Sequence, residues 1–319
     1  MRWSTPWLLV AVLAPASAAD PAPSTAALEG TVRALSGADP VLGGAILSRH
    51  IDHPDHDRAR SWLRDQLGAI AGLEVWDDPF TASSHSDLSN LVADLPGGDP
   101  SLPWIVVGAH FDSTASLTEG WNSATDPAPG ADDDASGVAA VLELARLLSG
   151  EALTHPVRFV LFDGEEAGLL GSEAHVEHYS AGAVALMLSL DPVGHNPGGA
   201  GRLWVTYQPE WADAAEAVLA MAEGIDTPLD VASVDGSLLG SNALRSDHAP
   251  FWGAGHPALH LASFPQPPDY HEVTDTVDVV DPQFLTDVTA LVHAVVRELA
   301  VPLEPGARRT SAAAGGCGR

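Results

Sequence analysis

Phe159-Val160-Leu161-Phe162-Asp163-Gly164-Glu165-Glu166-Ala167-Gly168-Leu169-Leu170-Gly171-Ser172 is the stretch whose reading decides the fold. Its first part is a short apolar run rich in Phe, Val and Leu, the pattern of a buried strand. Asp163-Gly164 marks a turn. Two adjacent carboxylates follow, and then residues compatible with a helix. Glu165 and Glu166 therefore fall at the C-terminal end of a strand, where α/β sheets place their ligands. Taken alone, adjacent glutamates are ordinary at a solvated helix start, where they favour the positive end of the dipole. Their meaning depends on the residues that accompany them.

The same pattern recurs outward from this stretch. Trp104-Ile105-Val106-Val107-Gly108-Ala109 reads as a buried strand and ends on His110, with Asp112 two positions on. Residues 183–190 read as another and end on Asp191. Gly130-Ala131-Asp132-Asp133-Asp134-Ala135-Ser136-Gly137 precedes a helix over 138–148, and by itself could be an over-provided N-cap. A Pro-rich loop over 265–270 delivers His271. In a wound sheet these ends lie along one edge and can converge. His with carboxylate suits zinc. His110, Asp133, Glu166, Asp191 and His271 are more ligands than one zinc needs. They suit a pair of ions with one carboxylate bridging, and Glu165 is left over as a proton carrier.

The remaining elements are read more coarsely. Helices are expected over 28–47, 58–70, 167–179, 211–223 and 281–301, and strands over 73–80, 90–95, 203–207 and 257–264. Ser246-Asp247-His248 opens a short helix over 246–252. Residues 83–89 read as a polar turn. His50-Ile51-Asp52-His53-Pro54-Asp55-His56-Asp57 is dense in ligand types but reads as a solvated loop that caps the next helix. His175 and His178 share a helix face at i, i+3 and read as solvated.

The 319 residues carry a formal net charge of −29, with 14 basic residues, all arginine, against 43 acidic ones. That balance argues against nucleic acid or an anionic membrane as partner. It suits cation binding and cationic substrates, and equally salt adaptation or compositional bias. The single Cys317 excludes an intrachain disulfide. Met1-Arg2, the apolar run over 7–13 and Ala16-Ser17-Ala18-Ala19 together form the pattern of a secretory leader over 1–19. The expectation is an exported protein, secreted or periplasmic, with no membrane span. Residues 20–27 read as a linker or pro-segment, 28–303 as one domain, and 304–319 as a disordered tail. A monomer is expected.

At this point the sequence resembles the secreted di-zinc aminopeptidases with co-catalytic zinc ions. The resemblance rests on Gly108-Ala109-His110-Phe111-Asp112-Ser113, the run from Pro129 to Gly137, Phe162-Asp163-Gly164-Glu165-Glu166-Ala167-Gly168, Leu190-Asp191, Ser246-Asp247-His248 and Tyr270-His271. It implies a three-layer α/β/α fold around a central mixed, mostly parallel sheet, with 28–303 as a zinc peptidase domain. It implies Asp133 as the bridging carboxylate, His110 and Asp191 completing one zinc, and Glu166 and His271 the other. Glu165 would be the general base in hydrolysis of the N-terminal residue of a peptide by a metal-bound hydroxide. Asp112 would orient the imidazole of His110, and the Asp133–Asp134 peptide would be cis. Ser246, Asp247, His248 and Tyr270 would lie around the ligands or the substrate.

One departure stands out. Some members carry a tyrosine shortly before Ser-Asp-His that stabilises the tetrahedral intermediate, and here Ser241-Asn242-Ala243-Leu244-Arg245 has none. Either Arg245 takes that role, or the zincs do, or the substrate differs. The competing reading is a glutaminyl-peptide cyclotransferase, which shares the fold and ligand pattern but works on a single zinc. Asp247-His248-Ala249-Pro250-Phe251 and Leu259-His260-Leu261 suit it. The triple-aspartate run and Tyr270, where the cyclases tend to carry tryptophan, speak against it.

Overall fold

The computed structural model describes residues 21–82, 85–179, 183–199, 201–225 and 227–300. The leader read over 1–19 and the tail over 304–319, with Cys317, lie outside the described residues. Eight strands form one mixed sheet in the order β1-β2-β4-β3-β5-β8-β6-β7. They are β1 (Glu74–Ala82), β2 (His85–Leu95), β3 (Trp104–His110), β4 (Val157–Phe162), β5 (Val184–Leu190), β6 (Arg202–Tyr207), β7 (Asp230–Asp235) and β8 (Ala258–Phe264). The central strands β4, β3, β5 and β8 run parallel. Antiparallel pairs flank them, β1 with β2 and β2 with β4 on one side and β8 with β6 on the other.

The two faces of the sheet bury different residues, because successive side chains on a strand alternate. Ile105, Val107, Ala109, Phe159, Leu161, Leu188 and Leu190 point into the larger core. That core is shared with α1 (Thr25–Leu35), α2 (His56–Gly68), α3 (Ala135–Leu148), α5 (Ala212–Gly224) and α7 (Pro282–Ala300). Val106, Val160, Phe162 and Met187 point the other way, against α4 (Leu170–Tyr179) and α6 (His248–Gly253). α3 is buried on nearly every side, which explains its near absence of charge. Truncating a fully buried ring such as Phe159 would cost about 3–5 kcal/mol. Gly108 lets the Phe162 ring lie across β3, since a Cβ there would meet the ring at 2.5 Å. Gly137 brings the start of α3 against the end of β5, where a Cβ would meet the Leu190 carbonyl oxygen at 2.1 Å.

Several expectations are corrected. The first helix starts at Thr25, capped by the Ser24 side chain, and stops at Leu35 rather than running to residue 47. Gly37 at φ 77° turns the chain away there. α4 starts at Leu170, not 167, because Gly164, Gly168 and Leu169 all take positive φ. β2 begins at His85, inside the span read as a turn, and the strand Asp230–Asp235 was not anticipated.

The polar segments read as solvated are in large part buried. His53, Asp55 and His56 are almost inaccessible, and His56 Nε2 lies 2.8 Å from Asp163 Oδ1. His175 is buried, and both His175 and His178 meet the buried Asp78 at 2.8 Å. His53 and Asp55 keep local partners, but His56, His175 and His178 pair with carboxylates about a hundred positions away. Periodicity carries no information about such partners.

Candidate metal centre

The C-terminal ends of β3, β4 and β5 bring His110, Glu165, Glu166 and Asp191 to one edge of the sheet. Asp133 enters from the turn before α3, and His271 from the loop after β8. Asp133 lies between the two histidines. Its Oδ1 is 3.1 Å from His110 Nε2, and its Oδ2 is 3.2 Å from His271 Nε2. On the His110 side, Asp191 Oδ1 is 3.5 Å from Nε2. On the His271 side, Glu166 Oε2 is 3.0 Å from Nε2. Glu165 stands slightly outside, its Oε2 4.0 Å from His110 Nε2.

The Asp133–Asp134 peptide is cis, as is Asp191–Pro192. Asp134 turns its carboxylate inward to the backbone, accepting from Gly137 N as the α3 cap and from His110 N. The ligand atoms of His110, Asp134 and Asp191 fall within 4.8 Å of one another, as do those of His110, Asp133 and Glu166. Asp134 already holds two N–H groups, so Asp133 is the freer donor of the two.

The residues fit a divalent cation. Asp133 Oδ2 and Glu166 Oε1 are buried with no hydrogen-bond partner, the 3.2 Å contact with His271 lacking hydrogen-bond geometry. Buried carboxylate oxygens are costly unless a proton, a donor or a metal satisfies them. The donor set of imidazole nitrogens and carboxylate oxygens is that of zinc rather than of a softer metal.

The electrostatics agree. Burial opposes a charge on His271, yet Asp133 and Glu166 hold its pKa up to about 10. Burial likewise opposes a charge on His110, yet Asp191 and Glu165 raise it well above the ordinary value. Glu166 is pushed up to about 7 by burial and by Asp133. Glu165 is raised well above the usual carboxyl range by burial, with Glu166 and Asp191 adding to it. Against its own burial, Asp133 is held below that range by His110 and His271. The cluster thus demands positive charge at its centre, supplied by protons on histidine or by a metal that displaces them.

The supporting residues differ from expectation in detail. Asp112 lies beside His110 as read, its Oδ1 3.4 Å from Nδ1, but the better contact to that nitrogen is its backbone oxygen at 3.2 Å. The Asp112 carboxylate instead receives the backbone N–H groups of Glu165 and Glu166 at 3.0 and 3.1 Å. Ser246 is buried with its Oγ 3.1 Å from Ser189 Oγ. Asp247 is fully buried, its pKa pushed up to about 7 by burial, and neither carboxylate oxygen has a hydrogen-bond partner. His248 turns away: its Nε2 meets the Ala243 oxygen at 2.8 Å and its ring stacks on His260. Burial and His260 hold it neutral, far below its ordinary pKa. Tyr270 stacks on His271 with ring centroids 3.7 Å apart, and Arg245 donates to the Tyr270 hydroxyl at 3.2 Å.

Two supports went unread in the sequence. Asp275 accepts the backbone N–H groups of Asp132 and Asp133 at 2.9 and 3.1 Å, fixing the turn that carries Asp133. Arg49 is fully buried and donates to the carbonyls of Leu35, Phe111, Pro129 and Gly130. It ties the end of α1 to the two loops that present Asp112 and Asp133. Neither residue has a local pattern, because Asp275 and three of the four Arg49 contacts act across more than sixty positions of chain. His271 itself sits at φ 58°, a left-handed conformation uncommon for a non-glycine residue. The loop is held there by Leu117 N donating to the His271 oxygen and Val273 N to Thr118 Oγ1.

The family model of peptidase family M28 matches residues 90–296, a span that holds the whole cluster. The chain belongs to this family. As an M28 peptidase it is a hydrolase of peptide bonds. Among its relatives, leupeptin-inactivating enzyme 1 of Streptomyces exfoliatus is 31% identical over 73% of this chain and 46% of its own length. The zinc aminopeptidase BSAP of Bacillus subtilis is 27% identical, with a TM-score of 0.56 over 72% of this chain and 54% of that one. This M28 chain therefore spans about half the length of each of those two. Glutaminyl cyclase of Porphyromonas gingivalis has a TM-score of 0.68 at 20% identity, over 88% of this chain and 100% of that one. At that identity the likeness is one of fold alone.

Proposed function

We propose that this M28 peptidase is a zinc-dependent aminopeptidase that releases the N-terminal residue of a peptide. The observation that carries the reading is Asp133, which directs one carboxylate oxygen toward each histidine. That geometry suits a carboxylate shared by two ions. His110 and Asp191 would complete one site, and Glu166 and His271 the other. Bound zinc supplies Lewis acidity, polarising the scissile carbonyl and lowering the pKa of water.

The protein's own groups do the rest. Glu165 stands beside the cluster without a place in either ligand set. It is buried at the cluster, with its Oε2 4.0 Å from His110 Nε2. It can take a proton from the attacking water and return it to the leaving amine, the general-base and general-acid halves of one cycle. Asp112 fixes the peptide on which Glu165 sits, so the carboxylate need not search for its position. The net charge of −29 suits a substrate whose free end is a protonated amine, which makes an exopeptidase the better reading than an endopeptidase. Relatives named as a zinc aminopeptidase and a leupeptin-inactivating enzyme support the same class. The leader pattern over 1–19 adds that the enzyme works outside the cytoplasm.

The test is zinc content of the purified protein, with turnover of aminoacyl anilides and of glutaminyl peptides on the same sample. Two zincs with anilide cleavage is the expected result. One zinc with pyroglutamate release would replace this reading with the cyclase.

A further inference from the structure

In a chain of net charge −29, an arginine with no carboxylate beside it is conspicuous. Among the described residues, Arg245 is in no ion pair. Every other described arginine sits against a carboxylate, except the fully buried Arg49. Arg245 is exposed, and its Nη2 donates to Tyr270 Oη at 3.2 Å while its guanidinium carbon lies 5.8 Å from the ring. The same Tyr270 ring stacks at 3.7 Å on His271, whose Nε2 faces Asp133 and Glu166. The guanidinium is thus held one aromatic ring away from the metal-facing imidazole, with most of its donors free.

We infer that Arg245 is a specificity residue that binds a carboxylate on the substrate residue following the scissile bond; the inference rests on the aminopeptidase reading. The reach is right, because extended peptide advances about 3.3–3.6 Å per residue. With a scissile carbonyl at the ions, a carboxylate on the next residue would lie on the order of one residue's advance away, comparable to the separation that Tyr270 sets between Arg245 and His271. The chemistry is right as well. A guanidinium presents parallel N–H groups that match a carboxylate, and such charge-assisted pairs are stronger than neutral ones. Among the described residues Arg245 is the exposed arginine left without a carboxylate partner, so its charge is available to a ligand. Tyr270 orients the fork through its hydroxyl. The carboxylate has two sources, the free C-terminus of a dipeptide or the side chain of Asp or Glu in the second position.

The experiment compares kcat/KM for leucyl-glycine against leucyl-glycinamide, and for leucyl-glutamic α-amide against leucyl-glutamine α-amide. The wild-type enzyme, Arg245→Met and Arg245→Lys are assayed, with leucyl anilide as a further substrate. The expected result is an acid-over-amide preference of about 10- to 100-fold in the wild type. That ratio collapses toward one in Arg245→Met and is partly kept in Arg245→Lys. A preference confined to the first pair assigns the C-terminal carboxylate, and one confined to the second assigns the side chain. Equal turnover within both pairs overturns the inference. So does a uniform fall on all substrates in Arg245→Met, which would place Arg245 on the reacting carbonyl instead. Cleavage of the anilide without an acid preference removes this inference alone, whereas no cleavage of any substrate removes the aminopeptidase reading and this inference together.

Discussion

The carboxylate of Asp112 receives the backbone N–H of Glu165 at 3.0 Å and that of Glu166 at 3.1 Å, with His110 Nδ1 at its flank. One side chain thus ties the end of β3 to both glutamates after β4, the proposed proton carrier and a proposed ligand. Asp112→Asn keeps the shape but turns an amide donor toward a backbone donor. We expect zinc affinity to fall about 10- to 100-fold. Competition with a chelator of known affinity measures it, and an unchanged affinity would show that the paired amides hold their place unaided.

Glu165→Gln separates proton transfer from metal binding. Glu165 is no member of either ligand set, so zinc content should match the wild type. Turnover of an aminoacyl anilide should fall about 10²–10⁴-fold. Full activity in a zinc-loaded variant would remove Glu165 from the proton path.

The bridging geometry of Asp133 makes the two metal sites unequal in what they lose. His271→Ala should cut the bound zinc from two ions to about one, because His110, Asp133 and Asp191 remain. Asp133→Ala should weaken both sites at once. Elemental analysis after dialysis reads this directly, and a variant of Asp133 that keeps two ions contradicts the shared role.

Asp78 gives a stability that depends on acid. It is buried, and despite that burial His175, His178 and Asn90 hold its pKa below the ordinary 3.8. A depressed carboxyl pKa contributes stability above 3.8, and that contribution fades as pH falls through the folded value. Asp78→Asn should therefore cost about 1–3 kcal/mol at pH 7, the usual penalty for buried partners left unmatched. The cost should shrink toward pH 3. Urea unfolding at both pH values checks the sign.

The His56–Asp163 pair runs the opposite way. Burial opposes a charge on His56, but Asp163 at 2.8 Å raises its pKa above 6.5. Its ionic contribution is complete below 6.5 and is lost as pH rises through the folded value. His56→Ala should destabilise the protein more at pH 6 than at pH 9. Equal losses at both would mean that the ring contributes only packing, including its stack on Phe111.

Much of the architecture was legible before any coordinates. The strands Trp104–His110, Val157–Phe162 and Val184–Leu190 announce themselves as unbroken apolar runs, because a strand buried on both faces has no room for polar residues. The residue types ending those runs carry chemistry, and the chemistry needs them at strand ends. His110, Glu165, Glu166 and Asp191 are therefore visible in the order of the chain alone. What the sequence by itself could not show is which charges meet. Asp78 with His175, Asp163 with His56, Asp275 with the turn before Asp133, and Arg49 with four carbonyls all join distant positions. Locally His56, His175 and His178 are indistinguishable from solvated polar residues, which is why they read as solvated although each meets a buried carboxylate. The sequence by itself determined the strands, the sheet edge and the ligand types, since burial and periodicity are local properties. Only the tertiary structure decided the partners of the buried charges and the placement of Asp133 between two histidines, because electrostatic pairing depends on distances that exist only once the chain has closed on itself.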